Sequence, residues 1–259
     1  MKVSGARVVV TGASRGIGAA LATELAARGA HVVLVARSAE PLEKLAAELG
    51  GEAFPADLGD ASVIEPLIAR IEAGGPIDVL VNNAGVDLTG ALVDLPTEEI
   101  TQLIALNLCA PVLLCRAVIP GMVQRGRGHI VNVSSLAGTN AVPGLAPYSM
   151  SKAGLSHFTA VLRAELKGTP VTTTLVQIGT VEGTMVDSLR AHEPTRRALA
   201  RLERLHLSFD LEMPVVVRAI VDAIARDKRH VRLPKRDALF PLLVETPRRL
   251  TELLLKGVR

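Results

Sequence analysis

Along the chain of 259 residues, short apolar, β-branched runs alternate with longer segments whose apolar positions recur at helical spacing. Residues 6–11, 31–36, 77–81, 129–133 and 171–177 predict strands, with weaker ones at 52–55 and 230–233. The first, third and fourth are nearly continuous in apolar residues, as parallel strands covered on both faces must be. Helices are predicted over 16–28, 41–49, 61–73, 97–124, 148–167 and 214–226. Thr97 reads as the N-cap of its helix, with Glu98 and Glu99 at the positive end of the dipole. Strict alternation with short connections implies an α/β fold with one doubly wound parallel sheet of about seven strands and helices on both faces. No linker or internal repeat interrupts it, so a single domain over 1–237 is expected.

Two stretches depart from the alternation. Residues 178–213 are polar in the middle and punctuated by Gly179, Gly183 and Pro194. They follow a strand end, where a substrate lid belongs, at about 179–213. Met185, Val186 and Leu189 hint at an apolar ligand there, or at ordinary helix packing. The second stretch, 238–259, carries Leu239, Phe240, Leu242, Leu243, Leu250, Leu253, Leu254 and Leu255 around Pro247. It reads as a basic amphipathic C-terminal extension that packs on its own domain, forms a dimer contact, or docks peripherally on a membrane surface.

Charge and composition sharpen this. The formal net charge is +3, yet residues 226–259 alone sum to +6 and the remainder to −3. The basic character therefore belongs to a tail and not to a nucleic-acid-binding face. With no Trp, one Tyr and four Phe, there is little material for base stacking, and no nucleic-acid partner is expected. Cys109 and Cys115 lie six apart in a predicted helix, a rise of about 9 Å that is too long for a disulfide; a reducing, cytoplasmic setting fits. No signal-peptide core precedes the first strand. The most apolar window, 109–123, is broken by Arg116 and two prolines, so no membrane span is expected. The six histidines show no ligand spacing and the cysteines no CxxC, so no metal site is expected. Ser135 lacks a nucleophile elbow, which argues against a serine hydrolase.

The first strand ends in Gly12-Ala13-Ser14-Arg15-Gly16-Ile17-Gly18, directly before a helix. Gly12 permits the tight turn, Gly16 and Gly18 allow close approach to a pyrophosphate, and the helix N-terminus offers free N–H groups to the anion. In this strand–turn–helix context the loop reads as a dinucleotide site of the Rossmann type. The second strand ends at Ala36, followed by Arg37 and Ser38, where an acid would hold the 2′-hydroxyl of an NAD ribose. Arg37, with Arg15 in the loop and no carboxylate nearby, favours a 2′-phosphate, so NADP(H) is expected over NAD(H). Asp57 and Leu58 after the third strand are placed for the adenine edge.

Tyr148 and Lys152 lie four apart at the start of a helix, on one face. A phenol of pKa near 10 needs about 4 kcal/mol of help to work near pH 7, and a neighbouring ammonium supplies part of it. Alone, such a pair is more often an ordinary surface pair. Upstream, however, lie Asn132-Val133-Ser134-Ser135 at one strand end, Asn82-Asn83-Ala84-Gly85 at another, and Asn107 in the long helix. With the glycine loop, this ordered set resembles the classical short-chain dehydrogenase/reductase family over roughly residues 5–235.

The resemblance implies roles. Tyr148 would be the general acid/base toward a carbonyl or secondary-alcohol substrate. Lys152 would lower its pKa and hold the nicotinamide ribose, Ser135 would polarise the carbonyl, and Asn107 would hold a relay water. Asn83, Ala84 and Gly85 would line the cofactor groove, as would the backbone of Gly179 and Val181. Ser134 would close a strand end, and Asn82 is equally a turn residue. The family pairs through the helices at 97–124 and 148–167, which implies a homodimer or homotetramer. One departure stands out: where the family carries Pro-Gly before a threonine, this chain reads Ile178-Gly179 with Thr184 one place late, which implies a differently shaped lid. The implied function is reversible NADP(H)-dependent hydride transfer to a small, apolar substrate; the alternative is a non-catalytic NADP(H) sensor or scaffold.

Overall fold

The computed structural model describes residues 1–181, 189, 191–204, 210–234, 242–244 and 246. Its sheet has seven parallel strands in the order β3-β2-β1-β4-β5-β6-β7: β1 (Arg7–Thr11), β2 (His31–Ala36), β3 (Glu52–Pro55), β4 (Val79–Asn82), β5 (Gly128–Ser135), β6 (Val171–Ile178) and β7 (His230–Leu233). The helices are α1 (Gly16–Ala27), α2 (Ala39–Leu49), α3 (Ile64–Ala73), α4 (Thr97–Ile104), α5 (Ala110–Gln124), α6 (Ala146–Glu165), α7 (Glu193–Arg204) and α8 (Met213–Ala225). The order reverses between β1 and β4, so a crevice opens at the carboxyl ends of those strands, where ligands bind in such sheets.

Alternate side chains of each strand feed two separate cores. Val8, Val10, Val32, Leu34, Val79 and Val81 pack with α1, α2 and α8 through Leu21, Leu25, Leu42 and Ile220. Val9, Val33, Val35 and Leu80 pack with α3 and α5 through Ile68, Ile71, Leu114 and Val118. Both faces are dry, which explains why the strands read as unbroken apolar runs. The span Thr97–Gln124 is long and apolar enough, by length and composition, to cross a membrane, with an 18-residue window of mean hydropathy 2.0. Arg116 and the prolines lower that average without removing the segment from the apolar range. Here the same hydropathy buries Leu103, Leu114, Cys115, Val118 and Met122 against the domain.

Two local expectations are corrected. Pro96, not Thr97, takes the N-cap position of α4, and no side chain caps it; Glu98 and Glu99 do lie in the first turn. The long helix is not continuous: Ala105–Cys109 form a π turn between α4 and α5. The segment expected to be a polar lid contains a regular helix, α7. Both thiols are free, Cys109 exposed and Cys115 buried. Met185, Val186, Thr184 and nearly all of the 238–259 extension lie outside the described residues, apart from Leu242–Val244 and Thr246.

At the opposite end of the sheet from the crevice, His129 is fully buried. Its Nδ1 lies 2.7 Å from the Thr172 hydroxyl and 3.0 Å from Asp227, and its Nε2 2.9 Å from the Thr174 hydroxyl. Burial holds its pKa below 6.5 against the opposing pull of Asp227. The folded chain therefore keeps this imidazole neutral, while the unfolded chain takes up a proton below about pH 6.5. Stability from this group is complete above that pH and is lost as pH falls toward the folded pKa. The unfolding temperature should drop between about pH 7 and 5, and His129→Gln should flatten that drop; an equally steep acid limb in the variant would place the sensitivity elsewhere.

Candidate active site

The crevice is a cleft of about 870 Å3 lined from both sides of the strand-order reversal. At one end lie Gly12, Ser14, Arg15, Gly16, Ile17, Arg37, Ser38 and Leu58; in the middle Asn83, Ala84 and Gly85; beyond them Ser135, Tyr148, Lys152, Gly179 and Val181. Three expected residues do not line it. Gly18 is buried inside α1, where a Cβ would fall 2.7 Å from Asn83 Nδ2, so it permits close helix–strand packing. Asp57 turns its carboxylate to the Gly59 N–H at 3.0 Å, closing its own turn. Asn107 sits behind the wall, 1% exposed.

The loop fits a pyrophosphate. Gly12 has φ +66°, and a Cβ there would fall 2.8 Å from Ala84 Cα. Gly16 has φ +58° with open space where a side chain would stand, so its backbone faces the cleft bare. Arg15, at the N-cap of α1, makes no side-chain cap, and the first turn holds no acidic residue. The N–H groups and positive dipole are therefore left for an external anion. Thr11, overlooked in the sequence, sets the opposite lip. Its hydroxyl accepts the N–H groups of Asn83 and Ala84, both at 3.0 Å, and donates to Val81 O. Asn83 Nδ2 in turn donates to Thr11 O at 3.0 Å.

At the end of the cleft beside β1 and β2, Arg15, Arg37 and Ser38 are exposed. The Ser38 side chain makes no cap to α2, and neither arginine pairs with a carboxylate among the described residues. No acid stands at the end of β2.

The proton-handling groups lie on α6 and β5. Tyr148 is half-buried, with the Ser135 hydroxyl in hydrogen-bonding contact; burial pushes the phenol up to about 12, Ser135 opposes this, and Asp87 adds to it. Burial alone brings Lys152 down to about 8. Its Nζ donates to Val133 O at 3.1 Å and stands 5.8 Å from the Tyr148 ring centroid. The expected lowering of Tyr148 by Lys152 is therefore not found in the chain by itself: burial dominates, and the opposing influence is the Ser135 hydroxyl. Ser134 is structural, with its hydroxyl on Lys152 O at 2.8 Å. Asn82 is no turn residue; it ends β4 buried, with Nδ2 donating to Asn132 Oδ1 at 2.8 Å.

Asn107 owes its position to the π turn. Its side chain pairs with the backbone of Val86, accepting that N–H at 2.9 Å and donating to its O at 2.8 Å. A further contact reaches Ser151 Oγ at 3.3 Å. Gly85 is wedged between Asn107 and Lys152: a Cβ would fall 3.0 Å from Asn107 Oδ1 and 3.4 Å from Lys152 Nζ. Ile178 continues β6, paired with Ser135 and Leu233, and its O accepts from Ser135 Oγ at 3.3 Å. The residue thus acts as a strand residue that holds Ser135. Among the described residues no cluster of His, Cys, Asp or Glu is placed for a metal ion.

A dinucleotide crevice leading to a Ser–Tyr–Lys wall defines a class of nicotinamide-binding oxidoreductase folds. Residues 6–194 match the family model for short chain dehydrogenases, and this chain belongs to that family. It is 40% identical over 188 residues to the ketoacyl reductase HetN of Nostoc sp., covering 70% of this chain and 66% of that relative's length. A short-chain dehydrogenase structure from Streptomyces avermitilis superposes with TM-score 0.79 at 28% identity, covering 99% of each chain. A metagenomic short-chain oxidoreductase in complex with NADP gives TM-score 0.71 at 38% identity, over 90% of this chain and 98% of that one.

Proposed function

We propose that the chain is an NADP(H)-dependent carbonyl reductase, with Tyr148 as proton donor to the substrate oxygen. The observation that carries this is the continuity of one cleft: Arg15, Arg37 and the bare Gly16 turn stand at one end, and Ser135, Tyr148 and Lys152 at the other. When bound, the nicotinamide supplies the hydride. Ser135 holds and polarises the carbonyl oxygen, and Tyr148 delivers the proton. Lys152 and the Gly85–Asn107 wedge fix the helix face from which that proton leaves. Burial raises the phenol to about 12, so it is held in its donor form at neutral pH. The relative bound to NADP supports the cofactor assignment, and the ketoacyl reductase relative supports a carbonyl substrate.

The test is NADPH oxidation with a panel of ketones, beside NADPH binding. Binding without turnover of any ketone would favour a sensor or scaffold instead. The pH profile adds a second check. Lys152, near 8, is the first of the two groups to lose its proton as pH rises. Ketone kcat/KM should therefore be level through neutrality and decline above about pH 8, whereas a level profile to about pH 10 would remove Lys152 from the mechanism.

A further inference from the structure

The end of the cleft beyond Tyr148 is built from three chain segments that have no regular pairing with one another. Val86 and Asp87 come from the loop after β4, Val142 and Leu145 from the loop before α6, and Leu199 and Leu202 from α7. All three meet at one backbone point, Gly144. Its O accepts the Gly90 N–H at 3.0 Å, which ties the first loop to the second. The hydroxyl of Thr195, fully buried on α7, donates to Pro143 O at 2.8 Å. That hydroxyl carries a single proton, so the His192 Nδ1 atom 2.8 Å away must donate to Thr195. Gly144 itself has φ +85°, and a Cβ there would fall 2.6 Å from His192 Nδ1 and also onto Thr195 Oγ1. Glycine is thus required twice over, by backbone conformation and by space.

We propose that Gly144, His192 and Thr195 form a clasp that fixes the wall of the substrate pocket. Leu199 and Leu202, held there by the clasp, select substrates carrying an extended apolar group beside the reacting carbonyl. This rests on the reductase reading, and it goes beyond it by naming the substrate class and Thr195 as a positioning residue. Thr195 does not line the cleft; it acts through the turn of α7 that follows it. A hydroxyl 0% exposed, at the first turn of a helix otherwise rich in exposed arginine, has no other evident work among the described residues. The pocket side of α7 is aliphatic, and Val142 and Leu145, which line the same cleft, are as well.

The probe is a series of linear methyl ketones of increasing chain length with wild type, Thr195→Val and Thr195→Ser. Valine keeps the shape and removes the hydroxyl; serine keeps it. Wild-type KM should fall as the chain lengthens. Thr195→Val should raise KM for the longest ketone about tenfold while leaving kcat for the shortest ketone and NADPH affinity near wild type, and Thr195→Ser should restore the long-chain KM. A chain-length dependence unchanged in Thr195→Val overturns the proposal. Amide hydrogen exchange over 193–204 reads the clasp without turnover: faster exchange in Thr195→Val at unchanged unfolding temperature supports it, and unchanged exchange overturns it. Should wild type reduce no ketone at all, the reductase reading fails and the substrate selection with it, while the exchange result still decides whether the clasp exists.

Discussion

Tyr148→Phe should lower kcat for carbonyl reduction about 1000-fold, inside the ~10²–10⁴ range that a positioned proton donor contributes, while NADPH affinity stays within about threefold of wild type. The two readouts separate because the hydroxyl and the ring do different things. The ring, half-buried in the cleft wall with Lys152 Nζ 5.8 Å from its centroid, is retained in phenylalanine, so the wall keeps its shape. The hydroxyl, in contact with Ser135, is the group of the set proposed to give up its proton to the carbonyl. Lys152→Ala should behave differently and lose both turnover and cofactor affinity. Its ammonium is tied to Val133 O and abuts Gly85, so its removal opens the groove. Turnover within tenfold of wild type in Tyr148→Phe would mean that the proton comes from elsewhere.

The strands at His31–Ala36, Glu52–Pro55 and His230–Leu233 were legible to the residue because each is a short apolar or β-branched run bounded by turn residues. β4 was misplaced for a physical reason. Its last residue is Asn82, whose polar side chain looks like a turn signal until its partner Asn132 is known, and that partner lies fifty positions away. Such a buried amide pair across strands leaves no local trace. The π turn at Asn107 is equally silent: each of its residues is a plausible helix former, and the extra residue is accommodated by bonds to Val86 in a distant loop. α7, by contrast, carried a visible signal. Glu193 at the start, Arg201 and Arg204 at the end, and Leu199 and Leu202 on one side form an amphipathic pattern, which Gly183 and Pro194 obscure within a segment polar in its middle. The glycine loop was readable as a motif but not glycine by glycine. Only the packing shows that Gly16 faces the cleft while Gly18 faces Asn83. Tyr148 and Lys152 were locatable from their spacing; their protonation was not, since it depends on how much water the fold removes.

The second large effect falls at the other end of the cleft. Arg37→Ala should raise KM for NADPH about 30-fold and leave KM for NADH nearly unchanged, since a charge-assisted hydrogen bond contributes about 1.5–3 kcal/mol. The double variant Arg15→Ala, Arg37→Ala should bring the two cofactors to comparable KM. Both side chains are exposed and neither is held by a carboxylate among the described residues, so their removal disturbs no folded-state partner and the loss reports on ligand alone. The salt response gives an independent check: an interaction between exposed charges weakens as ionic strength rises. NADPH affinity of wild type should therefore fall with added salt more steeply than NADH affinity, and the double variant should lose that difference. An NADPH preference that survives both substitutions would assign the 2′-phosphate to other groups, with Ser38 and the open N-terminus of α2 the next to test; a wild type that prefers NADH would remove the arginines from cofactor selection altogether.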